Sequence, residues 1–310
     1  MPTLTNRQVY LMGTTIDISI YHANPEPILD EAEELLRLYN HRFSANDNSS
    51  ELMAINRSAG NKAVVVHPQL FELIALGKKH SLASGSHLNI AIGPLIQTWR
   101  IGFDDAKVPS QEEIKAKLAL IDPRQIILDE KNSSVYLAKT GMKIDLGALA
   151  KGYIADRLME FLKKQGISAG LINLGGNVLT FGPAYHNPDQ NWRIGIQNPK
   201  LPRGNHLAIL SIRDQSVVTS GIYERTFTYQ GKTYHHIFDS QTGYPVNCQT
   251  VSLTIVSKLS VDGEIWTTRL FGKSPSEILT EVSQVPDLAT LVVTKNNQVL
   301  SSSNLPIWKN

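Results

Sequence analysis

The sequence predicts an α+β fold with mixed and antiparallel sheets and flanking helices. Helical and strand-like segments alternate along the 310 residues without a repeating βαβ unit, and the second half is rich in strands. No internal repeat or low-complexity segment interrupts them. A chain of this length exceeds the usual single core, so either two lobes or one large domain over 1–310, without a separate linker, is expected.

The elements follow in order. Thr14 to Tyr21 alternates Ile16, Ile18 and Ile20 with Thr15, Asp17 and Ser19, the period of a half-buried strand. Leu29, Ala32, Leu35, Leu36, Tyr39 and Phe43 then recur at helical spacing until small polar residues break the pattern from Ser44 to Ser50. A second helix is expected over Gln69 to Ser84. Ser110 with Glu113, and Ser274-Pro275-Ser276-Glu277, read as capping boxes that open two more. Strands are expected at Trp192–Gln197, Leu207–Ile212, Thr226–Tyr229 and Val251–Val256, with a terminal hairpin from Leu288 to Leu300 turning at Asn296-Asn297. Gly182–Asn191 and Asn198–Asn205 read as surface connections.

Composition narrows the function classes. Thirty basic against 28 acidic side chains leave a formal charge of +2, with no basic stripe interleaved with aromatics, which argues against nucleic acid. One cysteine, Cys248, excludes an internal disulfide and reads as an ordinary thiol. The segment from Met1 to Arg7 has no apolar h-region, and no stretch approaches the ~20 apolar residues of a membrane span, so a soluble cytoplasmic protein is expected.

Met142 to Asn177 is the most informative segment: a short strand, a Gly-containing turn, an amphipathic helix and a second strand ending in paired glycines. Ile154, Leu158, Phe161 and Leu162 form the helix's buried face, Asp156, Arg157, Glu160, Lys163 and Lys164 its wet face, and Gly166 its end. That pattern leaves Asp145, Gly147, Ala148 and Lys151, clustered at the helix entrance, unexplained. Asp145 reads either as an N-terminal cap or as part of a site where helix amides and Lys151 meet a phosphate.

Lys143-Ile144-Asp145-Leu146-Gly147-Ala148-Leu149-Ala150-Lys151-Gly152-Tyr153 resembles the signature of the ApbE-like flavin transferases. Five further motifs resemble that family in the same order, covering roughly residues 11 to 272. They are Leu11-Met12-Gly13-Thr14, then Phe43-Ser44 with Ser50-Glu51-Leu52 and Asn56, and the stretch Gly85 to Trp99. Next come Thr219 to Arg225 with His235-His236-Ile237-Phe238-Asp239 and Thr242 to Pro245, and last Asp262 to Gly272.

The resemblance implies a two-lobed fold with FAD in the inter-lobe cleft, and Mg²⁺-dependent transfer of FMN from FAD to a Thr or Ser hydroxyl of an acceptor flavoprotein, releasing AMP. It implies FAD contacts from Met12, His87, Leu88, Asn89, Asp145, Lys151 and Phe238, and cation ligands in the Ala148 carbonyl, Glu264 and Thr268. Glu264 and Thr268 also stand at i, i+4, which on a helix puts them on one face. Glu264 and Asn89 stand where the family usually has Asp. Asp262 is an alternative ligand in another register, and a solvent-facing helix end is the plain reading of the pair.

Transfer to an alcohol calls for a base, and His236 is the candidate, ahead of His235, with a purely structural histidine as the alternative. Lys151 would stabilise developing charge. The acceptor is expected to carry an Asp-Gly-x-Thr/Ser-Ser/Thr-like site. Asp262-Gly263-Glu264-Ile265 lacks its hydroxyl, so the chain should not modify itself. The competing readings are an FAD pyrophosphatase giving FMN and AMP, and a flavin-binding protein without catalysis.

Overall fold

The computed structural model describes residues 3–309; Met1, Pro2 and Asn310, the ends of the expected domain, lie outside them. The chain runs β1 (Leu4–Leu11), β2 (Thr14–Tyr21), α1 (Glu26–Phe43), α2 (Glu51–Arg57), β3 (Val64–Val65), α3 (Pro68–Ser81), α4 (Gly93–Trp99) and α5 (Gln111–Leu118). It continues through β4 (Ile126–Asp129), β5 (Ser134–Leu137), α6 (Ala150–Lys164), β6 (Gly170–Leu174), β7 (Asn177–Phe181), β8 (Trp192–Gln197), β9 (His206–Ile212) and β10 (Ser216–Gly221). The last third is β11 (Thr226–Tyr229), β12 (Lys232–His235), β13 (Thr250–Ser257), α7 (Ser260–Leu270), α8 (Pro275–Ser283), β14 (Ala289–Thr294) and β15 (Val299–Ser301).

An eight-stranded sheet, ordered β1-β2-β6-β7-β10-β13-β14-β15, organises the molecule. Its ladders are all antiparallel. Ile16, Ile18 and Ile20 of β2 are fully buried against α1 and α6, as their alternation requires. The opposite face carries the β8–β9 ribbon, whose Trp192, Ile194, Ile196, Leu210 and Ile212 form a second core with Val217, Val256 and Leu291. Loops and the α4–α5 region enclose a smaller core of Leu95, Trp99, Ile114 and Phe238. No described helix is long and apolar enough to cross a membrane.

Most local expectations agree with this structure. Both capping boxes form, at Ser110 and at Ser274. The terminal hairpin turns where Asn297 takes a positive φ of 65°. The helix expected over Gln69–Ser84 ends earlier, at Ser81.

Two expectations are corrected. Met142–Leu146 is not a strand: its backbone makes one isolated bridge, between Lys143 and Ile92, and one bond from the Asp145 amide to the Ile90 carbonyl at 2.9 Å, while Ile144 between them pairs with a side chain. Asn56 accepts from the Ile144 amide at 2.7 Å and donates to the Ile144 carbonyl at 2.9 Å, so one buried amide replaces a neighbouring strand. Asp156 does not face water; it is 2 % exposed. Its carboxylate accepts from the Ser260 and Val261 amides at 2.8 and 2.9 Å. Because α7 has no side-chain cap of its own, Asp156 of α6 caps it across the helix interface.

Candidate active site

The site lies where the N-terminus of α6 meets the middle of α7. Leu149 is the N-cap residue of α6 and supplies no side-chain cap. The amides of Leu149 and Ala150 both turn back to the Leu146 carbonyl, and Tyr153 bonds to Leu149. Among the described residues the Lys151 and Gly152 amides find no acceptor and the Ala148 carbonyl no backbone donor. Free amides at a helix N-terminus attract an anion, and a free carbonyl one turn away attracts a cation. Asp145 is not the helix cap; its Oδ1 accepts from Gly147 at 2.8 Å and shapes the turn before the helix. Burial holds its carboxyl above the usual range.

Gly152 sets the distance between the helices. A Cβ there would lie 2.6 Å from the Ser260 carbonyl oxygen and 2.8 Å from Glu264 Cγ, so only glycine lets α7 approach this closely. Glu264, on the facing side of α7, is 5 % exposed. Its Oε1 accepts from Asn177 Nδ2 at 3.0 Å and sits 3.4 Å from Lys151 Nζ. Oε2 has no protein partner among the described residues. Thr267 bonds its hydroxyl to the Glu264 carbonyl at 3.1 Å, whereas the hydroxyl of half-buried Thr268 makes no hydrogen bond among the described residues.

Ala148, Lys151, Glu264 and Thr268 thus present one carbonyl, one ammonium, one carboxylate and one hydroxyl. No described group of three or more His, Cys, Asp or Glu side chains is placed to hold a metal. A single carboxylate with neutral oxygens is still a fitting set for Mg²⁺, which is held by one or two carboxylates and completes its shell with waters and substrate phosphates. The unpartnered Ala148 carbonyl and Glu264 oxygen are the observations that fit such an ion.

The two histidines separate clearly. Both ring nitrogens of His235 are engaged, Nε2 with the Val246 carbonyl at 3.0 Å and Nδ1 with the Ile237 amide at 3.3 Å, so its role is structural. His236 Nδ1 faces the Arg225 carbonyl at 3.3 Å and must carry the proton, leaving the Nε2 lone pair free. Burial, then the positive charges of Arg225 and Lys151, pull His236 down to about 4. It is therefore a neutral acceptor at physiological pH.

Met12 occupies a two-residue hairpin turn with φ of 55°, beside Gly13 at 70°, a conformation costly for a long side chain. It is half-buried against the main core. His87 packs its ring on Gly272, where a Cβ would come within 2.3 Å, and burial lowers its pKa.

Leu88 and Phe238 have side chains in the cores, 2 % and 6 % exposed. Asn89 donates to the Ile121 carbonyl at 2.8 Å and accepts from the Ala91 amide at 2.9 Å. A carboxylate could not make the first of these bonds, which accounts for Asn in this position. Asn89, Leu88, Ser86, Arg124 and Ser240 border a cavity of about 300 Å³.

The chain is similar to known proteins over most of its length. The ApbE family model matches residues 12–292. An FAD:protein FMN transferase of Klebsiella pneumoniae is 42% identical over 94% of this chain and 90% of its own. One of Treponema pallidum is 32% identical over 97% and 87%. The crystal structure of an ApbE protein from Thermotoga maritima superposes with a TM-score of 0.88 at 27% identity, covering 97% of both chains.

Proposed function

The chain belongs to the ApbE family, and from that membership we propose that it is an FAD:protein FMN transferase acting as a single catalytic domain. The observation that carries the reading is the entrance of α6. There the free amides of Lys151 and Gly152 and the Lys151 ammonium can receive a diphosphate, and the Ala148 carbonyl, Glu264 and Thr268 can hold a cation beside it. Mg²⁺ bound there supplies positive charge next to the phosphates.

The residues then divide the work. Lys151 and the α6 amides stabilise charge on the phosphoryl oxygens, and Asp145 shapes the turn that presents them. His236 Nε2 takes the proton of the acceptor's Thr or Ser hydroxyl as its oxygen bonds to the FMN-side phosphorus. The bond to the AMP-side oxygen breaks, giving a phosphoester-linked flavin and AMP. Met12 packs on the flavin nucleotide, and the cavity beside Asn89 receives one end of the dinucleotide.

The test combines the protein with FAD, Mg²⁺ and a domain bearing an Asp-Gly-x-Thr/Ser-Ser/Thr-like site. Covalent flavin fluorescence in a denaturing gel, with AMP released, is the expected result. AMP without label would mean hydrolysis of FAD, and neither product would leave a flavin binder.

A further inference from the structure

We propose that Asn177 is a positioning residue that aims the Glu264 carboxylate at the cation, and that Ser216 and Ser260 fix which way the Asn177 amide faces. The inference rests on the reading of Glu264 as a cation ligand. Asn177 opens β7 directly after the turn Gly175-Gly176, whose φ values of 65° and 99° close the β6–β7 hairpin. It is 3 % exposed, and its Nδ2 donates to Glu264 Oε1 at 3.0 Å.

The other side of the amide is equally fixed. Ser260 Oγ donates to Asn177 Oδ1, and Ser216 Oγ lies 3.0 Å from both Ser260 Oγ and the Val178 carbonyl. Ser216 and Ser260 are fully buried, so these bonds have no water to compete with them. A serine that donates to the amide oxygen leaves only the NH₂ end to meet Glu264. Asp156 holds the Ser260 amide, which keeps the first turn of α7 in place.

The chemistry suits an aiming device. A neutral amide pins one carboxylate oxygen without cancelling the charge that a cation needs, whereas a second cationic side chain would compete with the metal. Outer partners of this kind orient metal ligands, and their loss commonly weakens metal binding about 10- to 100-fold.

The test titrates Mg²⁺ into wild type, Asn177→Leu, Ser260→Ala and Glu264→Ala, following the midpoint of Mg²⁺-dependent thermal stabilisation with FAD present. FAD binding in EDTA, by quenching of flavin fluorescence, reports separately on the integrity of the cleft. Asn177→Leu is expected to raise the Mg²⁺ midpoint about tenfold or more while FAD binding in EDTA holds. Ser260→Ala, which only frees the amide to turn, is expected to raise it about threefold.

A normal wild-type response abolished by Glu264→Ala but unchanged in both Asn177→Leu and Ser260→Ala would overturn the inference alone. No Mg²⁺ response in wild type would overturn the cation reading and this inference with it. If Asn177→Leu fails to fold, Ser260→Ala decides by the same criterion.

Discussion

Replacing Gly152 with alanine tests the helix contact on which the site depends. The new methyl would start 2.6 Å from the Ser260 carbonyl oxygen and 2.8 Å from Glu264 Cγ. Ordinary contact requires about 3.5 Å, so α6 and α7 must separate by up to roughly 0.9 Å. Overpacking of this kind costs about 1–3 kcal/mol, offset by about 0.5–1 kcal/mol because alanine suits a helix better than glycine. The net loss of about 1 kcal/mol lowers Tm by roughly 1.5 °C.

Activity should suffer far more. The same displacement carries Lys151 away from Glu264, and a misplacement near 1 Å can cost about 100-fold in rate. Calorimetry and a flavin-transfer assay on one preparation would show a small fall in Tm with a large fall in kcat. Unchanged activity, or a loss of activity no larger than the loss of folded protein, would refute the reasoning.

Three further predictions concern the residues around that contact. Asn56→Ala leaves the buried amide and carbonyl of Ile144 unpaired, costing about 3 kcal/mol, and should weaken FAD binding because Asp145 follows directly; a variant with wild-type FAD affinity would contradict this. Asp156→Asn turns an NH₂ toward one of two helix amides and should cost about 2 kcal/mol at pH 5 by denaturant unfolding. Burial raises the native Asp156 carboxyl to about 7, so its proton-linked stabilisation is present at low pH and lost as pH rises through that value. The deficit of the variant should therefore shrink as pH rises from about 4 to 7 and level off above, and a deficit that grows instead would sink the assignment. His236, held down to about 4, should leave the free enzyme's kcat/KM without an acidic limb near the ordinary histidine value. A limb there that disappears in His236→Asn would show that its environment is wrongly read.

The elements that were legible in the sequence carry their own reasons. β2 shows strict alternation because one face is buried on α1 and α6, and α5 and α8 announce themselves through complete capping boxes. β1 was missed because it is an edge strand of mostly polar residues, with little alternation to read. Met142–Leu146 looked like a strand because its residues alternate, yet the sequence cannot show that its partner is the side chain of Asn56.

The proposed site was legible where its members share one helix turn or one helix face, as Ala148 with Lys151 and Glu264 with Thr268 do. It was hidden where they meet across the fold. Asp156 falls at a wet position by helical period within α6, and only the packing of α7 shows that it caps another helix. Asn177 lies 87 residues from the carboxylate it holds, and the paired glycines before it were the only local signal.

The most direct measurement is an anomalous difference map from crystals grown with FAD and Mn²⁺ in place of Mg²⁺. The account predicts a peak ligated by the Ala148 carbonyl, Glu264 and Thr268, with the diphosphate over the Lys151 and Gly152 amides. A diphosphate bound away from the α6 entrance, or a metal peak that touches none of those three residues, would contradict it.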